Sequence, residues 1–421
     1  MHLRSSVVEF VFMTLGSQNI FISIRHTARS SQNTGIQRVV RGLTRYAVED
    51  PRVHLVEWRN WKKEFFEPVP RITKGIRLFG GPQVLQTPLF LPLPRSLREL
   101  KTAIACLGLR RQTPLKRHPH FYGQKGWLLL PELMTAEMMR EAIDYGKSMG
   151  LQVAVILYDC IAYFHPEWVN ERIRENHRGY LNAAAEADLV IAISETTALD
   201  YKKFLKTENR TGASVQAVYL AEEFLGIPKG GVELIEKSKE GKVWKILYVS
   251  TLDPRKNHLR LLKAFEQVKF SRPDLQWELT LVGHQYEGAG EIAEEVEKLS
   301  KSNPSIIWKQ GVSDEALAEL YEKSDFTVFP SLVEGFGLPI AESLWRGKPC
   351  LCSGVGSMKE IADKGGCLEI DPMRNESIAE GLIRMMNDRE LREQLSEELK
   401  SREFKMWQKY AEEILGLLGQ V

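Results

Sequence analysis

Residues 326–342 read Phe326-Thr327-Val328-Phe329-Pro330-Ser331-Leu332-Val333-Glu334-Gly335-Phe336-Gly337-Leu338-Pro339-Ile340-Ala341-Glu342. The first four are aromatic or β-branched and predict a short strand. Pro339 sits where a helix would start, a favoured place for proline. Between them lies a loop whose glycines, 335 and 337, let backbone N–H groups come close to a ligand. A helix N-terminus behind such a loop favours an anion such as a diphosphate. Glu334 and Glu342 bracket the loop with seven residues between them. Carboxylates accept hydrogen bonds from vicinal hydroxyls, the groups that sugars and ribose display. The plain alternative is a glycine turn capping a helix, with two solvated glutamates.

The strand–loop–helix rhythm extends in both directions. In the second half, strands are predicted at 245–249, 277–282, 306–308, 326–329 and 349–352, and helices at 259–268, 291–300, 314–322 and 339–345. In the first half, a strand over 20–24 leads into Thr34-Gly35-Ile36-Gln37-Arg38. There the apolar residues Ile36, Val39, Val40, Leu43, Tyr46 and Ala47 follow helical spacing. Further strands are predicted at 53–57, 127–130, 151–157, 189–193 and 215–219, with helices at 136–147 and 168–187 and Ser194 as a helix cap. Two successive βαβ series predict an α/β chain with two doubly wound parallel sheets. The polar, charged stretch 221–243 reads as a linker. The expected domains are therefore 1–225 and 226–402. A final helix within 403–421 presents Phe404, Trp407, Ala411, Ile414 and Leu418 on one face and is expected to pack back across the first domain.

Composition narrows the function. The chain has 421 residues, 43% hydrophobic and 27% charged, with net charge +2, so it is no global polycation and nucleic acid is not an expected partner. No run of 18 apolar residues predicts a membrane span. Glu9 interrupts the short apolar stretch near the amino end, which reads as a ragged leader or partial strand. The five cysteines are scattered, which suits a reducing compartment, and Cys350-x-Cys352 has the wrong spacing for a zinc knuckle.

A second constellation, Leu247-Tyr248-Val249-Ser250-Thr251-Leu252-Asp253-Pro254-Arg255-Lys256-Asn257, places two adjacent cations after the first strand of the second half. Arginine offers bidentate contact to a phosphate and lysine a point charge, so the pair can neutralise a leaving diphosphate. Weaker signals carry less. Gly354-Val355-Gly356 lacks the third glycine of a dinucleotide fingerprint, Lys359 standing in its place. His26, His258 and His284 read as structural, and His118 and His120 lack metal-ligand spacing.

With these residues on view, the second half resembles glycosyltransferase family 4, a retaining family of GT-B architecture. The resemblance is carried by LYVSTLDPRKNHLRLLKAFE, LTLVGH, the long stretch from Gly311 to Ala362, and the segment around Trp407. The first half is similar more weakly, through TGIQRVVRGL, ILYDCIAYFHPEW and DLVIAISETT. The resemblance implies that Glu334 contacts donor-sugar hydroxyls and that the amides of Gly335, Phe336, Gly337 and Leu338 hold sugar and diphosphate. It implies further that Glu342 binds the ribose, that Arg255 and Lys256 grip the diphosphate, and that Gly35 approaches the phosphate from the other domain. Gly311 and Val312 stand where the family brings backbone to the base. Asp159 is expected to orient acceptor or sugar.

Three positions depart from the pattern: Thr251 replaces a common arginine, Tyr158-Asp159 replaces His-Asp, and Leu220-Ala221-Glu222 replaces an Asn-Gly turn. No Asp-x-Asp clamp occurs, so no metal and no cofactor are expected beyond the nucleotide-diphosphate sugar as co-substrate. The implied activity is metal-independent sugar transfer to a glycan or lipid-linked acceptor in bacterial surface-polysaccharide synthesis. The implied donors are mannose- or rhamnose-type, and the implied location is cytoplasmic. A non-hydrolysing sugar-nucleotide epimerase and a catalytically idle scaffold are the alternatives. Last, residues 95–125 carry eight cations against Glu99, a local +7 in a chain of net +2, with leucines at helical spacing beside them. That stretch is expected to meet the acceptor or an anionic membrane surface at the inner face.

Overall fold

Strands that are apolar at every position need cover on both faces, and helices between parallel strands supply it. In the computed structural model, which describes residues 18–30, 33–68, 114–117, 125–232, 242–286 and 288–419, this is how the chain folds. Val153 to Leu157 have no solvent exposure at all. The first sheet uses β1 (Asn19–Ser23), β2 (Val53–Arg59), β3 (Glu64–Phe66), β4 (Gly126–Leu130), β5 (Gln152–Leu157), β6 (Leu189–Ala192) and β7 (Ser214–Ala217). Their order is β3-β2-β1-β4-β5-β6-β7, parallel except for β3. Its helices are α1 (Gly35–Ala47), α2 (Ala136–Ser148), α3 (Ile161–Phe164), α4 (Glu171–Ala184) and α5 (Glu195–Thr207).

The second sheet is wholly parallel, in the order β10-β9-β8-β11-β12-β13. Its strands are β8 (Val243–Val249), β9 (Gln276–Val282), β10 (Ile306–Lys309), β11 (Phe326–Phe329), β12 (Cys350–Ser353) and β13 (Cys367–Ile370). Around it lie α6 (His258–Ser271), α7 (Gly290–Ser302), α8 (Asp314–Lys323), α9 (Leu338–Trp345), α10 (Gly356–Ala362), α11 (Asn375–Asn387) and α12 (Arg389–Ser401). The last helix, α13 (Trp407–Gly419), lies against α1. The fold is thus α/β with two Rossmann-like domains. In each sheet the strand order reverses once, between β1 and β4 and between β8 and β11. Ligands of open α/β sheets bind outside the carboxyl ends of strands at such reversals.

Several elements differ from the sequence reading. Strand β3 forms a hairpin with β2, held by the edge-on rings of Trp58 and Phe65 at 4.8 Å, and is too short to show a period. Strand β13, four residues with the polar Glu369 among them, is likewise absent from the sequence reading. The helix expected over 168–187 is split: a turn at Pro166–Trp168 stops, and Asn170 restarts the chain as α4 by accepting from the Ile173 N–H at 2.9 Å. Strand β7 ends at Ala217 rather than 219. Phe404 precedes the final helix instead of joining its face, and meets the Trp345 ring edge-on at 5.5 Å. The amino-terminal residues 1–17, most of 95–125 (95–113 and 118–124) and part of the linker (233–241) lie outside the described residues. Of the basic stretch, Leu115 is buried and Lys116 pairs with Glu64. Cys160, Cys350, Cys352 and Cys367 are free thiols.

Candidate functional site

Four chain reversals meet between the sheets. After β1 comes the loop to α1; after β5, Tyr158 and Asp159; after β8, residues 250–257; after β11, residues 330–337. Together they line a cleft of about 740 Å³. Its wall includes Gly35, Asp159, Arg255, Lys256, Gly311, Val312, Glu334, Gly335, Phe336, Gly337, Leu338 and Glu342, every site residue expected from sequence.

The cations owe their position to local folding. Asp253 accepts from the Arg255 N–H at 3.0 Å and caps a single turn, Pro254–Lys256. Asn257 then takes a left-handed conformation at φ 64°, and its amide donates to the carbonyls of Pro330 at 3.0 Å and Pro372 at 2.8 Å. The Leu332 N–H donates to the Arg255 carbonyl at 2.7 Å. These bonds tie the two loops together and set Glu334 between the cations. Arg255 Nη1 donates to Glu334 Oε2 at 2.7 Å, and Lys256 Nζ donates to Oε1. Burial alone would raise the Glu334 pKa, but Lys256 and Arg255 outweigh it and hold the carboxyl at about 2. Burial lowers the Lys256 pKa against the opposing pull of Glu334, and Asp253 Oδ2 lies 3.4 Å from Arg255 Nε, so a second carboxylate shares the arginine. His258, next in line, donates or accepts through Nε2 with the Ser250 hydroxyl at 3.1 Å. Burial, with the Lys256 charge, lowers its pKa to about 3, so it is neutral.

Two helix N-termini, one from each domain, line the cleft. Helix α9 begins after Gly337, whose φ of 124° belongs to glycine, so no side chain caps it. Helix α1 begins at Gly35, and a Cβ there would lie 3.4 Å from Leu338 Cδ1. Gly335 serves a purpose beyond the one read in sequence. A Cβ on it would come within 2.0 Å of the Tyr158 carbonyl oxygen. Its own carbonyl accepts from the Ser194 hydroxyl at 2.8 Å and the Thr197 hydroxyl at 3.2 Å. Its bare backbone thus also lets the two domains dock, a use of that freedom the sequence did not announce.

Asp159 is about one-third exposed; its Oδ1 accepts from the Ile161 N–H at 2.9 Å and lies 3.6 Å from His177 Nε2. The neighbouring Tyr158 turns inward and donates to the Pro131 carbonyl at 2.6 Å, which makes it structural. Thr251 and His284 line the cleft. The Glu222 of the atypical linker is buried and pairs with Arg402 at 2.5 Å, and its N–H donates to the Lys405 carbonyl at 2.8 Å. That knot joins the two places where the chain crosses between domains. Gly354 leaves room for Glu369, whose Oε2 would lie 2.6 Å from a Cβ, a packing role and no dinucleotide loop.

Sequence reasoning missed one group. Arg38 of α1 reaches into the other domain, where Nη2 donates to Asp314 Oδ1 at 2.7 Å and Nη1 to Glu342 Oε1. Asn33 adds a bond to Asp314 Oδ2 at 2.6 Å, and the Tyr321 hydroxyl donates to Glu342 Oε2 at 3.1 Å. Nothing in the spacing of Arg38, Asp314 and Tyr321 announces this, because the three come from separate domains or separate turns of helix.

Residues 233–402 match the family described as glycosyl transferases group 1. The serotype-specific mannosyltransferase WbdA of Escherichia coli is 29% identical over 249 residues, which cover 56% of this chain and 29% of WbdA. The O-antigen chain mannosyltransferase B of Escherichia coli is 26% identical over 242 residues, 57% of this chain and 61% of the relative. This chain therefore spans less than a third of the first and under two-thirds of the second. Among solved structures, sucrose-phosphate synthase from Thermosynechococcus elongatus superposes with a TM-score of 0.63 at 18% identity, covering 95% of this chain and 98% of the other. That likeness concerns the fold.

Proposed function

We propose that the chain is a retaining glycosyltransferase that moves a sugar from a nucleotide-diphosphate donor to an acceptor hydroxyl in bacterial surface-polysaccharide synthesis. One observation carries the reading: two helix N-termini and the Arg255–Lys256 pair converge on a single cleft at both strand-order reversals. Such a cleft suits a diphosphate flanked by sugar and ribose. The match of residues 233–402 to glycosyl transferases, and the mannosyltransferase names of the relatives, support the same class and a mannosyl-type donor.

In this reading the diphosphate lies against Arg255, Lys256 and the amides of Gly35 and of Gly335 to Leu338. Negative charge grows on it as the glycosidic bond breaks, and the cations neutralise that charge without a metal. The acceptor hydroxyl attacks the same face of the sugar and gives its proton to the departing phosphate oxygen, so no protein base is named. Glu334 has two partners, but a carboxylate offers about four acceptor sites, so it can also receive sugar hydroxyls. Glu342 receives the ribose hydroxyls, Gly311 and Val312 border the base, and Asp159 orients the acceptor. The acceptor is a glycan or a lipid-linked glycan. Residues 95–125 bring the protein to anionic lipid at the cytoplasmic face, a contact that low-salt vesicle co-sedimentation measures.

The first experiment is a melting panel with UDP, GDP, ADP and dTDP, because a ligand of the folded state raises its stability. Stabilisation by at least one is expected, and an indifferent protein would sink the reading. Release of free nucleoside diphosphate that depends on acceptor then separates transfer from epimerisation.

A further inference from the structure

Glu342 is nearly buried, yet it lines the cleft, and each of its oxygens has a single protein partner. Arg38 takes Oε1 and the Tyr321 hydroxyl takes Oε2. With about four acceptor sites on a carboxylate, two remain, the number a ribose diol needs. The partner on Oε1 comes from the opposite domain. Arg38 is itself fixed by four contacts: Asp314 at 2.7 Å, Glu342, the Asn33 carbonyl 3.2 Å from Nε, and the Phe224 ring 5.2 Å from its guanidinium carbon. Asn33, from the same loop as Gly35, braces Asp314 and also accepts from Arg41 at 2.7 Å.

We propose that Arg38 is a positioning residue for the nucleotide: it orients Glu342 toward the ribose hydroxyls, and does so only while the two domains are together. The proposal rests on the reading that Glu342 receives the ribose. It adds that donor recognition by the second domain is completed by a side chain of the first.

Electrostatics agrees with the geometry. Burial raises the Glu342 pKa, with Asp314 adding to the rise, while Arg38 and the Tyr321 hydroxyl oppose it. The charged and titratable groups facing this carboxyl are Arg38 on α1 with Asp314 and Tyr321 on α8; Arg41 lies behind Asp314, and Cys350 on β12 lies near Tyr321. Without Arg38 the carboxyl protonates at higher pH and turns from a pure acceptor into a donor at one oxygen. Affinity should then fall as pH falls.

The test compares the ribonucleoside diphosphate that stabilises the protein most, among UDP, GDP and ADP, with its 2′,3′-dideoxy counterpart by calorimetry. The wild type should prefer the hydroxyl-bearing form. Arg38→Gln should lose that preference and bind roughly 10-fold or more weakly, the equivalent of one charge-assisted hydrogen bond. Its affinity relative to wild type should drop further from about pH 8 to about pH 6, a ratio in which the titration of the ligand cancels. Arg38→Lys should restore part of the preference, and Asp314→Asn, which frees Arg38 while keeping its charge, should show an intermediate loss. If the wild type binds both forms equally, the ribose reading of Glu342 fails and this proposal with it. If the wild type discriminates and Arg38→Gln keeps the full preference, the proposal alone is overturned.

Discussion

Glu334 is held ionised by two cations that it holds in turn, and this reciprocity sets what single substitutions do. Its pKa of about 2 in the folded protein lies below the ordinary 4.5. A depressed carboxylate contributes stability above its unfolded value and loses that contribution as pH falls toward the folded one. Glu334→Gln should therefore be less stable than wild type near neutral pH by about 3 kcal/mol, since buried Lys256 loses its carboxylate partner while the partly exposed Arg255 keeps Asp253 at 3.4 Å. The gap should narrow between about pH 4.5 and pH 2. Urea titrations of both proteins across that range test this, and a gap independent of pH would show that Glu334 is not the ionised partner. Arg255→Ala and Lys256→Ala should each lower kcat/KM by the equivalent of about 2–4 kcal/mol, as expected for a preorganised donor to developing charge. Unchanged transfer kinetics in the double variant would mean that the diphosphate lies elsewhere.

At the scale of elements, the loop from β11 to α9 does two jobs with its two glycines. Gly337 takes the backbone turn that starts the helix without a capping side chain. Gly335 brings the loop onto the carboxyl end of β5 and the start of α5. Helix α5 is also capped from the other domain: the carboxylate of Glu360 accepts from the N–H groups of Glu195 at 3.1 Å and Thr196 at 2.7 Å. Gly335→Ala should therefore separate the domains locally while each remains folded. The expected result is near-wild-type circular dichroism with a large loss of turnover, because a displacement of about 1 Å can cost about 100-fold in rate. Wild-type turnover in this variant would show that the contact yields without cost.

At the scale of the whole molecule, the described residues cross between domains twice, and both crossings are pinned. Glu222 and Arg402 form a buried pair, their side chains 0% and 1% exposed. Beyond it, Trp407 lies on Gly42 of α1 so closely that a Cβ there would fall 2.3 Å from the indole. Its N–H groups donate to Glu223, the indole to the backbone carbonyl at 3.0 Å and the main chain to the carboxylate at 3.1 Å. Helix α13 thus clasps the first domain after the second is complete. Trp407→Ala should cost about 3–5 kcal/mol, the usual range for a large buried aromatic. The loss should appear in the first domain, as early exchange of α1 amides in hydrogen-exchange mass spectrometry. Unaltered protection of α1 would contradict the clasp.

The amino-acid sequence by itself determined the alternation of strands and helices, because apolar runs such as Val153 to Leu157 and periodic faces such as that of α1 are local properties. It also singled out Arg255, Lys256, Glu334 and the Gly335–Leu338 loop, whose chemistry is written in adjacent residues. Only the tertiary structure decided that Glu334 lies between the two cations and that Gly335 serves the contact between domains. The same holds for Arg38, which answers Glu342 and Asp314 from 304 and 276 positions away in the chain. Pairings of that kind depend on how two separately folded sheets meet, and no periodicity or spacing within either one encodes the distance across the cleft.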